Sequence, residues 1–180
     1  MSAEEPAAGQ EESPRRSTHV EHDVVYAAVG ASSAPDLMRF PPEGSTPYEE
    51  ELRLGSGADR FLIASSALMT WGAPRGAGAE VSEIEQGDGG EYAGVAFDEH
   101  GTPQPAADSD IEYGPDGEPY LIAGTAVTLR WADGRPPRRM RVVYTISEPR
   151  RVGYAWGAAD DQGIVGEEAI VIEHRADDTV

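Results

Sequence analysis

RMRVVYTISEPRRVGYAWGAADDQGIVGEEAIVI, residues 139–172, decides how this chain folds. Met140, Val142, Tyr144 and Ile146 alternate with Arg141, Val143, Thr145 and Ser147, the period of a half-buried β-strand. Glu148-Pro149-Arg150 interrupts the run, because Pro149 has no N–H to give to a ladder. Val152, Tyr154 and Trp156 resume the alternation. A Gly/Asp-rich loop over 157–166 leads into a third apolar run, Ala169 to Ile172. Short connections between such strands predict an antiparallel meander.

Upstream, residues 120–131 carry strand patterning with Val127, Leu129 and Trp131 facing one way, and Asp133-Gly134 marks a hairpin turn. The meander therefore reads as four strands, at about 120–131, 139–147, 151–157 and 167–174. Residues 58–71 form the one clear helix, with Phe61, Ala64, Leu68 and Trp71 on a single face. Ser56 and Asp59 give it a start similar to a capping box, and Gly72 and Pro74 stop it. Its apolar stripe is core packing against the sheet. Shorter strands are expected at 48–54, with Leu52 and Leu54 inward, at 81–84, and as an edge at 92–97. The fold class is α+β: a curved antiparallel meander packed on one main helix. Residues 1–22 are Glu/Ala/Ser/Pro-rich without periodicity and read as a disordered acidic tail. Residues 23–180 form one domain, with an acidic Gly/Pro/Asp insertion at about 86–119.

Composition removes several kinds of chemistry. The chain has no Cys, so disulfides, thiolate zinc sites and Cys nucleophiles are excluded. All 14 basic residues are Arg, which excludes Schiff-base lysines and a P-loop lysine. A net charge of −19 repels nucleic-acid phosphates and anionic membranes. There is no apolar run long enough for a membrane span and no apolar core to a leader, so a soluble cytoplasmic protein is expected.

Few residues suggest catalysis. Gly55-Ser56-Gly57 does not match a nucleophile elbow. His19 and His22 lack a third ligand, and Asp108, Asp110 and Glu112 fail the calcium-loop spacing, so no metal or other cofactor is expected. Glu167 and Glu168 open the last strand on opposite faces, so one points inward. An inward carboxylate is either paired with a neighbouring arginine or available as an acid/base, with His174 as a candidate partner. Residues 130–151 hold seven Arg against two acids, a local +5. Arg130, Arg139, Arg141, Arg150 and Arg151 are thus a patch for an anion or acidic partner, or else neutralise the acidic insertion.

YAAVGAS (26–32), the helix ending at Trp71 followed by GAG and Val81, RVVYTISEPRRVGYAWG (141–157) and GEEAIVIEH (166–174) resemble domain-of-unknown-function family nineteen-ninety of actinobacteria and plants. That family has no established activity, and its α+β pattern is similar to helix-grip folds, which hold apolar ligands between a curved sheet and a helix. Two departures stand out: 86–119 looks inserted, and the family's further strand and helix after GEEA are missing. If that helix closes a cavity, this chain leaves it open, fills it, or covers it with a second copy of itself as a homodimer. The expected function is non-catalytic binding of a small hydrophobic ligand by Trp71, Trp131, Tyr144, Tyr154 and Trp156. Two alternatives are a small acid/base enzyme using Glu167 or Glu168, and a protein-interaction module working through the acidic segments.

Overall fold

Five strands, each hydrogen-bonded to its sequence neighbour, make one antiparallel sheet in the order β1-β2-β3-β4-β5. They are β1 (Ala79–Glu85), β2 (Ala126–Trp131), β3 (Arg138–Glu148), β4 (Arg151–Ala158) and β5 (Glu167–Glu173). Two helices, α1 (Ala58–Met69) and α2 (Gly72–Gly76), precede them. This computed structural model describes residues 24–26, 28–87, 89, 111–160 and 165–180. The expected tail at 1–22, the edge strand at 92–97, His19, His22, Asp108 and Asp110 lie outside the described residues. The architecture is α+β, a curved meander with α1 packed on β4 and β5.

Register assigns the two faces. Val142 lies opposite Trp156, and Tyr154 lies opposite Ile170. Cross-strand partners share a face, so these residues, with Val127, Met140, Val152 and Ile172, form the side that meets α1. Between Val142 and Tyr144 the ladder shifts by one residue. This bulge sends Tyr144 and Ile146 to the opposite side, beside Ala155 and Gly153. The unbroken alternation read across 140–146 is therefore corrected: Met140 and Val142 face the helix, whereas Tyr144 and Ile146 face away.

Other boundaries move for local reasons. Residues 48–54 form no strand; Leu52 and Leu54 are 71% and 40% exposed. Leu54 and Gly55 instead donate their N–H groups to the Val180 carbonyl, and Ser56 bridges Thr179. With Ser56 so engaged, α1 starts without a capping box: Gly57, at φ 91°, is its N-cap and no side chain closes it. The buried face of α1 is Phe61, Ser65, Leu68 and Met69. Strand β2 begins only at Ala126, because Gly124 turns the chain at φ 85° and Leu121 donates its N–H to the Met69 carbonyl at the end of α1. Residues 120–125 thus plug the gap under the helix terminus.

Trp71 closes the helical layer. It adopts φ 64°, left-handed for a bulky residue, and turns the chain from α1 into α2. Gly72 and Pro74 do not stop a helix here; they sit in the first turn of the next one, where Pro needs no N–H. A Cβ on Gly72 would strike the backbone carbonyl of Ala67. Replacing Gly72 by Ala should lower unfolding stability by about 1–3 kcal/mol through overpacking, measured as an earlier urea midpoint. An unchanged midpoint would mean that the two helices meet less closely than this.

Candidate functional site

The aromatic residues expected to line a pocket divide into three environments. Trp71, Tyr154 and Trp156 are buried and fill one another's space. Trp71 lies 6.3 Å from Tyr154 and 6.4 Å from Trp156, and Tyr154 meets Trp156 edge-on at 5.6 Å between ring centroids. Trp131 is half-buried at the end of β2, with the Arg135 guanidinium 4.7 Å over its ring. Tyr144 lies on the other side of the sheet. Of the five, only Trp71 borders the cleft described below.

Glu167 is the centre of a polar cluster on the face away from the helices. Its Oε2 accepts from the Tyr26 hydroxyl at 2.7 Å and the Gly30 N–H at 2.7 Å. Its Oε1 accepts from the Ser32 N–H at 2.9 Å and the Ser32 hydroxyl at 2.5 Å. Because the Ser32 proton points at the carboxylate, Ser32 Oγ receives its 2.8 Å bond from the Tyr144 hydroxyl. The Tyr26 ring lies over Gly157, where any Cβ would collide with it. Burial pushes the Tyr26 phenol far above its ordinary range, and the bond to Glu167 and that group's charge push it further. Burial likewise raises Tyr144, and the nearby charge of Glu167 adds to it. Four donors occupy the acceptor sites of a carboxylate, so Glu167 acts as a clasp holding the segment 26–32 across the sheet. The partners are hydroxyls and amides where an arginine was expected. Two of the sequence blocks behind the family resemblance, 26–32 and 166–174, meet here.

Glu168 points to the helix side, is exposed, and accepts from Trp156 Nε1 at 2.9 Å. His174 stacks on Phe61 at 5.7 Å and bonds Asp178 at 2.8 Å. It follows the far end of β5, about 23 Å along the chain from Glu167 at strand spacing, so the structure does not bring those two together. The arginines form ion pairs and carbonyl contacts. Arg130 meets Glu83 at 2.8 Å, Arg139 meets Glu85 at 2.5 Å, and Arg151 meets Glu173 at 3.2 Å. Arg150 donates to the carbonyls of His174 and Arg175. Glu83 and Glu85 lie on β1 and Glu173 on β5, so these three pairs run between strands of the sheet. Arg141 sits across Gly157 from Glu167 in the same cross-strand row.

A cleft of about 70 Å³ opens where both ends of the 86–119 segment join the body. Trp71, Ile84, Pro119, Tyr120 and Leu121 give it apolar walls, with Gln86, Glu118 and Thr125 as polar points. Glu118 forms a two-point pair with Arg75 of α2, both bonds at 2.7 Å, which ties the segment's end to the helix. The hydrogen bonds from Arg75 hold the Glu118 carboxyl below the usual range, against partial burial. Sequence reasoning missed this cleft because its residues come from four separate stretches with no shared motif. It also missed Tyr26 and Ser32, which carry no motif and lie 141 and 135 positions from Glu167.

No family model, curated protein or solved structure matches the chain. Among the described residues no group of His, Asp or Glu could hold a metal ion, and no helix is long and apolar enough to cross a membrane.

Changing Glu167 to Gln puts an amide N–H₂ against two donors. It should lower stability by about 1–3 kcal/mol and speed hydrogen exchange at the Gly30 and Ser32 amides. Full protection in the variant would show that the clasp does not hold this segment. Glu118, lowered in the folded state, contributes stability that is present above the ordinary glutamate range and lost as pH falls through its lowered value. The pair is partly exposed, with side chains 44% and 30% accessible, so the contribution stays below about 1 kcal/mol. Glu118→Gln should flatten the stability-versus-pH curve in that acidic window and leave the curve above it parallel to wild type.

Proposed function

We propose that this domain is a non-catalytic binding module that seats the apolar part of a small uncharged ligand in the cleft beside Trp71. The observation that carries this reading is the cleft's wall, five apolar residues and three polar ones, the mixture a small-molecule site uses. A hole of about 150 Å³ admits benzene, so about 70 Å³ suits a chain end or a side group. The charge of −19 favours neutral over anionic ligands. Acid/base catalysis by Glu167 is the weaker reading, because its oxygens are already taken by four protein donors.

Titration with 1-hexanol, followed by tryptophan fluorescence and amide chemical shifts, tests the reading. Saturable binding with shifts at Ile84, Tyr120 and Leu121 is expected. Ile84 is 48% exposed, so Ile84→Arg should fold normally, block the mouth, and weaken binding at least tenfold. Equal binding by the variant, or none by the wild type, would remove the cleft as a site. Native mass spectrometry of protein purified from cells adds a second readout: a solvent-releasable adduct supports the module, while a bare mass at twice the chain weight turns the reading towards self-association.

A further inference from the structure

Strand β5 is an edge of the sheet, and its outer backbone is set for pairing. His174 donates its N–H to the Arg150 carbonyl, and Ala158 donates to the Gly166 carbonyl. In an antiparallel ladder, residues bonded in this way alternate with residues that point the other way. Ala169 and Val171, which lie opposite Ala155 and Gly153, therefore turn their N–H and C=O groups outward. Among the described residues no hydrogen bond reaches them from that side. Ala169, Ile170, Val171 and Ile172 are all half-buried, so the edge still meets solvent. Amides at such an edge bond water, and an added strand takes the water's place. The other edge is less open to this. Strand β1 breaks its ladder between Ser82 and Glu85, and Glu83 sits at φ 51°. Strand β5 keeps register with β4 along its whole length, with no bulge and no proline.

We propose that β5 is a docking edge for an extended basic peptide, which adds a strand to the sheet through the outward groups of Ala169 and Val171. Charge selects the partner. Residues 166–180 hold five acids against Arg175. Glu168 is exposed and accepts from the neutral Trp156 indole, so its charge remains for a partner. Glu173, exposed at the other end, is shared by Arg151 and Arg175 at 3.2 and 4.0 Å, pairs that solvent reaches. Ala169 to Ile172 run between these two acids. A strand laid alongside thus meets an acid, four apolar side chains and an acid. It fits a segment with β-branched residues in the middle and arginines at its ends. A second copy of this chain fits less well, because it brings the same acids and another net charge of −19. The cleft is bordered by Ile84 of β1, at the opposite edge of the sheet. The docking edge therefore goes beyond the cleft reading and stands without it.

The test uses the full chain and the peptide Arg-Val-Thr-Val-Thr-Arg, capped at both ends, with amide chemical shifts and hydrogen exchange as readouts. Saturable binding is expected, with slowed exchange at the Ala169 and Val171 amides. Replacing both peptide arginines by Glu should weaken binding about tenfold, and added salt should narrow that gap. In antiparallel pairing with its first Arg opposite Glu173, the peptide turns its Thr amides towards β5. Methylating the Thr amides should abolish binding, and methylating the Val amides should not. Val171→Pro removes an outward N–H without touching the ladder to β4, so this variant should fold and lose the peptide. Should it fail to fold, the methylated peptides decide the matter on the wild-type chain. Equal binding of the acidic peptide, equal binding of the two methylated peptides, binding without change at Ala169 and Val171, or no binding by the wild type would overturn the proposal. So would protection of these amides in the free monomer, which means that the edge is already covered, or in a dimer, where a second copy holds it. None of these outcomes alters 1-hexanol binding at the cleft, which fails or stands by its own titration.

Discussion

The helical layer of this protein depends on the seat of Trp71. Its indole enters the sheet's apolar side against Tyr154 and Trp156 from a backbone that a bulky residue rarely adopts. Holding it there needs support from both directions. Gly72 lets α2 approach the end of α1, and Leu121 bonds the Met69 carbonyl and packs beneath. Arg75 then ties α2 to Glu118 and also caps the Thr70 carbonyl at 2.8 Å. Helix, connecting plug and insertion end thus converge on one aromatic contact. A five-residue helix such as α2 has little stability of its own, so it exists by docking.

The opposite side of the sheet solves a different problem. Its centre is Gly153, Ala155 and Gly157, too small to build a second core. The chain covers it with a segment that ends in a single 3₁₀ turn, Ala31–Ser33, whose polar backbone needs partners that a sheet face does not offer. Glu167 supplies them, satisfying two amides and two hydroxyl-bearing residues from a single position. A carboxylate suits this because it only accepts, and every group facing it donates. Glycine at 157 makes the contact possible by leaving room for the Tyr26 ring.

How much of this was legible in the sequence follows from the range of each interaction. Periodicity reports local geometry, so α1 and strands β3, β4 and β5 were readable to within a residue or two, and the antiparallel meander followed from their short connections. The bulge at Val142–Tyr144 was not readable, because it preserves an apolar/polar rhythm while exchanging the faces. That single residue is why Tyr144 was grouped with Tyr154 and Trp156 though it serves the other side. Leu52 and Leu54 looked like a strand because alternation was present, but among the described residues no strand pairs with them. The Glu167 clasp joins residues more than 130 positions apart, and no local pattern encodes such a meeting. The arginine cluster was visible as charge, yet its meaning depended on which acids register brought alongside.

The two sides of the sheet treat buried polar groups in opposite ways, and the contrast bears on where function lies. On the clasp side four donors are answered by the one carboxylate of Glu167. On the helix side, the best-packed part of the molecule contains two hydroxyls that nothing in the described protein answers. If packing were all that mattered there, Phe at 154 and Ala at 65 would be the more stable solution, and Ala would also favour the helix. Trp71, which packs on Tyr154 and borders the cleft, stands at the left-handed joint between α1 and α2. The apolar cleft beside Trp71 therefore belongs to the helix side, while the carboxylate that first drew attention as a catalytic candidate sits on the other, holding the N-terminal segment to the sheet.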